Sequence, residues 1–519
     1  MQPLQRHCFN GFLALTLSSI SVWAWGADTA AAPNIPWPTT GWQESTPEQQ
    51  GMSSDALRRL VDFGAHNDVD SLLVVRHGKL VLDTYYAPFR SDLKHIVNSA
   101  TKAVVGTLTG IAIKDGLLKS VNQPVTEFFA DQPMANLDAN KKAIRIEHLL
   151  DLTSGIAWSE PLTSAFPETV FQMVRSPNWT SFVLDRPMAQ APGTGFNYNS
   201  GSWHLMSAIL TKTTGKSAAD YAAQRLFGPL GIADVTWSKD AQGISTGGFG
   251  IYMHPRDMAK LGYLYLHNGE WDGKALLPAD WTDKIFHHAT VDMHLDNPST
   301  RRYANGWWTI PGRDAIMAVG LRNQLIVVLP KLDMVAVLTG KTYYPVPSMI
   351  DLLEASVVSS RALPVNAQAN TELSHSVRDA AKNKAIAVPP TPALAGQISG
   401  RSYRFERNAQ GINTAMLDLA SASPHYEIVF NSANPMNGPM HRTGPVGLDG
   451  LFRTNDESAG PARAVRASWT DATTLAMESR ALSDGVIARY TFHFADSAVD
   501  VEYSDSAGNK AQLHGVSTP

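Results

Sequence analysis

The sequence predicts an α+β protein: a sheet of antiparallel strands beside a helical lobe, followed by a small all-β domain. Two observations carry the first part. Strand-like runs lie at both ends of residues 27–362 and helical periodicity fills the middle, so distant segments are expected to share one sheet. A third observation carries the second part. Beyond a polar, alanine-rich stretch at 363–395, ending in Pro389-Pro390-Thr391-Pro392, the period changes to short apolar alternation. A chain of 519 residues also exceeds one ordinary core, which agrees with two packed units.

The elements follow in chain order. Arg6 and the uncharged apolar run 12–24, then small residues at Ala24, Gly26 and Ala27, read as an export signal over 1–26. The run is short of the ~20 residues of a spanning helix. After Ile35-Pro36-Trp37-Pro38, Ser53-Ser54-Asp55 reads as a helix cap before Leu57, Leu60 and Val61. Leu72 to Val75 and Leu80 to Tyr85 read as strands joined at His77-Gly78, and residues 98–270 as mainly helical. Ile316 to Val319, Leu325 to Leu329 and Met334 to Leu338 read as further strands, closed by an apolar helix from Met349 to Val358. Residues 363–395 read as a semi-rigid linker. Ser402 to Glu406, Tyr426 to Phe430, Ile487 to Phe494 and Val499 to Tyr503 read as strands of a C-terminal β domain over 396–519.

Composition narrows the chemistry. With 43 Lys+Arg against 47 Asp+Glu, the net charge of −4 offers no basic field for nucleic acid. The one cysteine, Cys8, excludes an internal disulfide and any cysteine-rich metal site, and it lies inside the leader. A mature chain without cysteine has no catalytic thiol. A periplasmic or secreted protein, with no membrane span after cleavage and no cofactor or metal, is the expectation.

Two Ser-x-x-Lys matches occur, Ser91 to Lys94 and Ser99 to Lys102, and a chain this long shows roughly one or two by chance. Context separates them. Ser99 opens a helical run with apolar residues at Val104, Val105, Leu108, Ile111 and Ile113, whereas Ser91 sits in a charged, loop-like stretch. Three-residue spacing puts Ser99 and Lys102 one turn apart on one face, where a buried lysine of lowered pKa can take the serine proton. An ordinary helix cap with an exposed lysine is the competing reading. Tyr198, in the Gly- and Pro-rich loop 192–201, is a third partner; a phenol near Lys102 would have its pKa lowered and serve as general base.

Ser99-Ala-Thr-Lys102, Ile146 to Gly155 (IEHLLDLTSG), the Pro192-Gly193-Thr194 to Tyr198 loop, Gly247 to Lys260 and Tyr303 to Trp308 occur in order. Over residues 45–360 the chain thereby resembles the serine β-lactamase-related hydrolases, the group of class C β-lactamases, DD-peptidases, esterases and 6-aminohexanoate-dimer hydrolases. The resemblance implies a β-lactamase/transpeptidase-like fold with Ser99 as acylated nucleophile, Lys102 as its proton acceptor and Tyr198 as the base for deacylation. It aligns the third motif with Ala318-Val319-Gly320, and backbone N–H groups of Ser99 and Leu321 then form the oxyanion hole. Ser200, Gly320, Arg322 and Trp308 are the expected substrate-binding residues.

Two departures bear on substrate. Asn199 and Ser200 follow Tyr198 where a Tyr-x-Asn is usual, and the third motif lacks the Lys and Thr that hold a carboxylate. Arg322 either replaces that charge or is a surface residue. These changes favour a small-molecule ester or amide substrate, with β-lactamase or DD-peptidase activity and a non-catalytic ligand sensor as alternatives. Gly243 to Gly247 fits Gly-x-Ser-x-Gly but lacks the strand and helix of a nucleophile elbow. His287, His288 and His294 read as solvated rather than as metal ligands. Trp307 and Trp308 line a cleft or pack in the core.

Overall fold

The computed structural model describes residues 37–162, 168–289, 291–292, 302–310, 312–431, 440–455 and 461–518. The expected leader at 1–26 and His294 lie outside them. Among the described residues, nine strands form the main sheet. Their order is Gln43–Glu44, Lys79–Tyr85, Val69–Arg76, Met334–Gly340, Gln324–Leu329, Ala315–Gly320, Trp307–Ile310, Arg302–Ala304 and Val291–Asp292. Every pair is antiparallel except the short edge strand against Lys79 and Leu80. As the sequence predicts, its two ends meet in mid-sheet, with Leu73 opposite Val337 and Val75 opposite Val335.

The central strands are buried on both faces, which is why they read as continuous apolar runs rather than alternating ones. Leu73 and Val75 face one core with the helical lobe; Leu72 and Val74 face a second core with the helices Ser54–His66 and Val346–Ser356. Ser53 caps the first of these helices, its hydroxyl accepting from Ala56 N. His77 and Gly78 both take positive φ, the geometry a two-residue hairpin needs. The first helix of the lobe, Thr101–Lys114, is buried along its whole length from Thr101 to Ala112. Gly106 lets the Asn305 carbonyl approach where any Cβ would collide.

One expectation fails in part. Residues 363–395 are not simply a linker: they contain the helix Ala367–Ala380, whose Leu373 is buried in the second core with Val377 and Ala380 packed against it. Apolar residues at 369, 373, 377 and 380 follow the helical period and outweigh the polar composition.

The C-terminal sheet has ten antiparallel strands among the described residues, from Met440–Pro445 at one edge to Arg453–Thr454 at the other. It coils until Gly447, just past one edge strand, bridges to Arg466 near the other. Tyr403, Trp469, Phe492 and Phe494 are among the residues filling its inside. This domain docks on the first: Phe452, Ala462, Ala464 and Leu482 belong to the same apolar cluster as the helical lobe. The described residues from 37 to 518 accordingly form one compact unit. No helix among the described residues is long and apolar enough to cross a membrane.

Candidate active site

The Ser99 turn sits where the main sheet meets the buried helix. A 3-10 turn, Asn98–Ala100, leads directly into Thr101–Lys114. Asn98 holds a left-handed φ of 48°, a conformation asparagine tolerates better than other side-chain-bearing residues. Its side-chain amide donates to Leu321 O at 3.1 Å, tying the nucleophile turn to the end of strand Ala315–Gly320. Gly320 lies so close to the Val97 carbonyl that a side chain there would collide. Leu321 is the first residue of the following turn rather than part of the strand, and its side chain is exposed. Arg322 and Asn323 complete the turn with φ of 60° and 57°. Gln324 holds it, donating to the Leu321, Arg322 and Gly340 carbonyls. Non-glycine residues in this region cost on the order of 1–2 kcal/mol each, and they occur here on both sides of one cleft.

Lys102 is 1% exposed. Its ammonium donates to Ser99 Oγ at 3.0 Å, Ser200 Oγ at 3.1 Å and Gly248 O at 2.8 Å, which uses all three protons. Burial lowers its pKa to about 8, against the opposing pull of Glu160. Tyr198 is buried beside it, its hydroxyl close enough to Ser99 to act on it and its ring 4.6 Å from Lys102 Nζ. The expected lowering of the Tyr198 pKa is not found. Burial raises it, Glu160 raises it further, and Lys102 stands over the ring face rather than at the phenol oxygen.

Asn199 and Ser200 explain the departure from Tyr-x-Asn. Asn199 caps the helix Ser200–Thr214, accepting from Ser202 N at 2.9 Å, and Ser200 turns its hydroxyl to Lys102. That hydroxyl also donates to Glu160 Oε1 at 2.6 Å, while Glu160 Oε2 accepts from Ser200 N and Trp158 Nε1, each at 2.7 Å. Ser200, placed by sequence among the substrate-binding residues, thus has its polar capacity directed into the Lys102 network. Nothing in the sequence singles out Glu160: it stands in an irregular stretch, and only the fold brings it under Ser200.

Trp308 is buried against the site, its ring 6.1 Å from that of Tyr198 and 5.2 Å from that of Tyr303. Trp307 packs away from it, on Tyr265 at 4.3 Å. Arg322 is half-buried with its guanidinium donating to Asp484 O at 3.4 Å. The other serine–lysine pair is elsewhere: Lys94 is held by Asp234 at 2.6 Å and Thr236 at 2.9 Å, and Ser91 is exposed. Ser245 is buried in a loop and accepts from Ala219 N, so it is no nucleophile elbow. His287 and His288 are exposed, and no group of potential metal ligands occurs among the described residues.

The sequence profile of the Beta-lactamase family matches residues 58–356. The chain belongs to the β-lactamase family of serine hydrolases. This β-lactamase-family chain is 24% identical over 314 residues to the 6-aminohexanoate-dimer hydrolase of Paenarthrobacter ureafaciens, covering 56% of this chain and 79% of that one. It is 25% identical over 145 residues to a D-aminopeptidase of Cereibacter sphaeroides, 26% of either chain. Among solved structures, the octameric penicillin-binding protein homologue from Pyrococcus abyssi aligns over 88% of this chain and 99% of its own, at 17% identity and a TM-score of 0.47.

Proposed function

We propose that the protein hydrolyses an ester or amide bond through an acyl-enzyme on Ser99. The observation that carries this reading is the set of partners around Lys102. In the neutral amine, Gly248 O can only accept, and the Ser200 proton is committed to Glu160. Two N–H bonds are therefore spoken for and the lone pair is left toward Ser99 Oγ at 3.0 Å. A pKa of about 8 keeps roughly one-tenth of Lys102 neutral at pH 7.

Lys102 takes the Ser99 proton as Oγ bonds to the substrate carbonyl carbon. The backbone N–H groups of Ser99 and Leu321 receive the oxyanion. Tyr198, a neutral phenol beside Ser99, hands its proton to the departing alcohol or amine as the Lys102 ammonium returns one by way of the Ser99 oxygen that lies next to both groups. Water then adds to the acyl carbon and passes a proton back along the same route, and the C–O bond to Ser99 breaks to release the acid. Arg322 and Trp308 line the substrate side, with Gly320 at the edge of the oxyanion hole.

Sequence likeness to a 6-aminohexanoate-dimer hydrolase and a D-aminopeptidase supports an amide as well as an ester substrate. The missing third-motif Lys and Thr weigh against β-lactamase or DD-peptidase activity. Rapid-quench mass spectrometry with a p-nitrophenyl ester tests the mechanism: an acyl adduct on the Ser99 peptide supports it, and turnover that survives Ser99→Ala sinks it. Strong nitrocefin turnover would refute the reading of the third motif, and binding without turnover across a panel of short esters and amides would favour a sensor. The leader at 1–26 directs export on this account, and N-terminal sequencing of the mature protein should start near residues 25–28.

A further inference from the structure

The C-terminal β domain reaches the catalytic cleft through one turn, Leu482–Gly485, between strands Thr474–Ala481 and Val486–Ala495. Leu482 is fully buried in the apolar cluster of the helical lobe and anchors the turn there. The other three residues meet the two segments that carry Ser99 and Leu321.

On the Ser99 side, Ser483 O accepts from Ile96 N at 2.7 Å, on the strand His95–Ile96 that runs into Asn98 and Ser99. The Asp484 carboxylate accepts from Tyr252 Oη at 2.8 Å. Tyr252 lies on the strand Ile251–Met253, which pairs with His95–Ile96 and grips the nucleophile turn from both ends. There Ile251 O accepts from Val97 N at 2.9 Å, and Ile251 N donates to Thr101 Oγ1 at 3.3 Å. On the Leu321 side, Asp484 O accepts from Arg322 at 3.4 Å. The carboxylates of Asp484 and Asp505, both in the C-terminal domain, also act on that half-buried guanidinium and oppose the effect of its burial. Gly485, at φ 64°, approaches the Gly340 carbonyl, and a Cβ there would lie 2.8 Å from it. The same carbonyl accepts from Gln324, whose side chain holds the Leu321 and Arg322 carbonyls.

Ser99 lies in a short 3-10 turn, and Leu321 opens a turn whose next two residues hold left-handed φ. Neither segment is fixed by a regular ladder of its own. Oxyanion donors must nevertheless be aimed before the charge develops, since loss of one costs about 10²–10³ in kcat. Asn98 ties the two segments to each other, and the turn 482–485 braces both from outside.

We infer that the turn Leu482–Gly485 is a positioning element of catalysis: it braces the Ser99 and Leu321 segments so that their N–H groups converge, and the cleft is complete only with the C-terminal domain docked. This rests on the reading of Ser99 as nucleophile and of Ser99 and Leu321 as oxyanion donors. Ser483, Asp484 and Gly485 are positioning residues, acting through Ile96, Tyr252 and Arg322.

Two ketones of one acyl chain test the inference on the full chain, beside hydrolysis of a p-nitrophenyl ester. A trifluoromethyl ketone takes Ser99 Oγ at its carbonyl carbon as the serine proton passes to Lys102, and the resulting oxyanion needs both N–H groups. The methyl ketone stays a neutral carbonyl. Asp484→Ala, which releases Tyr252, is expected to lower kcat/KM and trifluoromethyl ketone affinity by about tenfold each, and methyl ketone affinity by no more than about twofold. Asp484→Asn, whose amide oxygen still accepts from Tyr252, recovers most of the loss. Gly485→Val, which forces the turn away from Gly340, costs up to about 10²-fold; where it does not fold, Asp484→Ala decides alone. Phe494→Leu, in the apolar core at the far end of strand Val486–Ala495, is the control: it lowers the melting temperature and leaves the ketone ratio alone. An unchanged ketone ratio in folded Asp484→Ala, or equal loss of both ketones, overturns the inference. Ser99→Ala reports separately on the nucleophile. Turnover that survives it removes the hydrolase reading itself, whereas its loss beside an unchanged ratio in Asp484→Ala removes only the role of the turn.

Discussion

Ser91–Lys94 and Ser99–Lys102 share a spacing and lie within a dozen residues of each other, yet their surroundings are opposite. Lys94 reaches solvent and is neutralised by Asp234, an exposed carboxylate 2.6 Å away. Lys102 is sealed at the head of a buried helix, with a hydroxyl, a carbonyl and the nucleophile as its three partners. Glu160 is the nearby charge that opposes the burial effect, and it reaches Lys102 through Ser200 rather than by direct contact. Burial without a directly bonded counter-ion is what converts a lysine into a base near neutral pH. The motif supplies the pair; the surroundings decide whether it reacts.

The difference can be broken experimentally. Lys102→Met should cut ester hydrolysis by about 10³-fold, whereas Lys94→Met should leave it within about twofold. Tyr198→Phe should cost about 10²-fold, since the phenol relays protons and is not the nucleophile. The pH profile sharpens the same point. The base is the neutral amine, so kcat/KM should rise with pH and level off above about 8, the Lys102 pKa. Glu160 favours the charged form of Lys102, so Glu160→Gln should move that limb to lower pH and reduce the rate severalfold by freeing the Ser200 hydroxyl. The smallest effect belongs to the exposed pair: Lys94→Ala should change stability by no more than about 1 kcal/mol in thermal or urea unfolding.

Much of this contrast is legible in the amino-acid sequence. Apolar spacing after Ser99 marks a buried helix and the charged stretch around Ser91 marks a loop, so the chain itself ranks the two motifs. The sheet is legible for a related reason: strands covered on both faces read as unbroken apolar runs. What is not legible depends on long-range approach. Glu160 stands in an irregular stretch with no period to flag it, and its effect is exerted through Ser200, forty residues on. The Tyr198 pKa moves opposite to the expectation drawn from a neighbouring cation, because desolvation, which depends on the whole fold, outweighs that proximity. The turn at 482–485 carries no motif, and its position beside Arg322 is set by the docking of a whole domain. The helix Ala367–Ala380 is a different case, since its apolar spacing is present in the sequence and its polar composition masks it.

The central claim is that one serine of the two is the nucleophile. Intact-mass analysis after a fluorophosphonate probe tests it most directly, on wild type, Ser99→Ala and Ser91→Ala. A single adduct on wild type and Ser91→Ala, with none on Ser99→Ala, is the predicted result. Equal labelling of Ser99→Ala and wild type would contradict it.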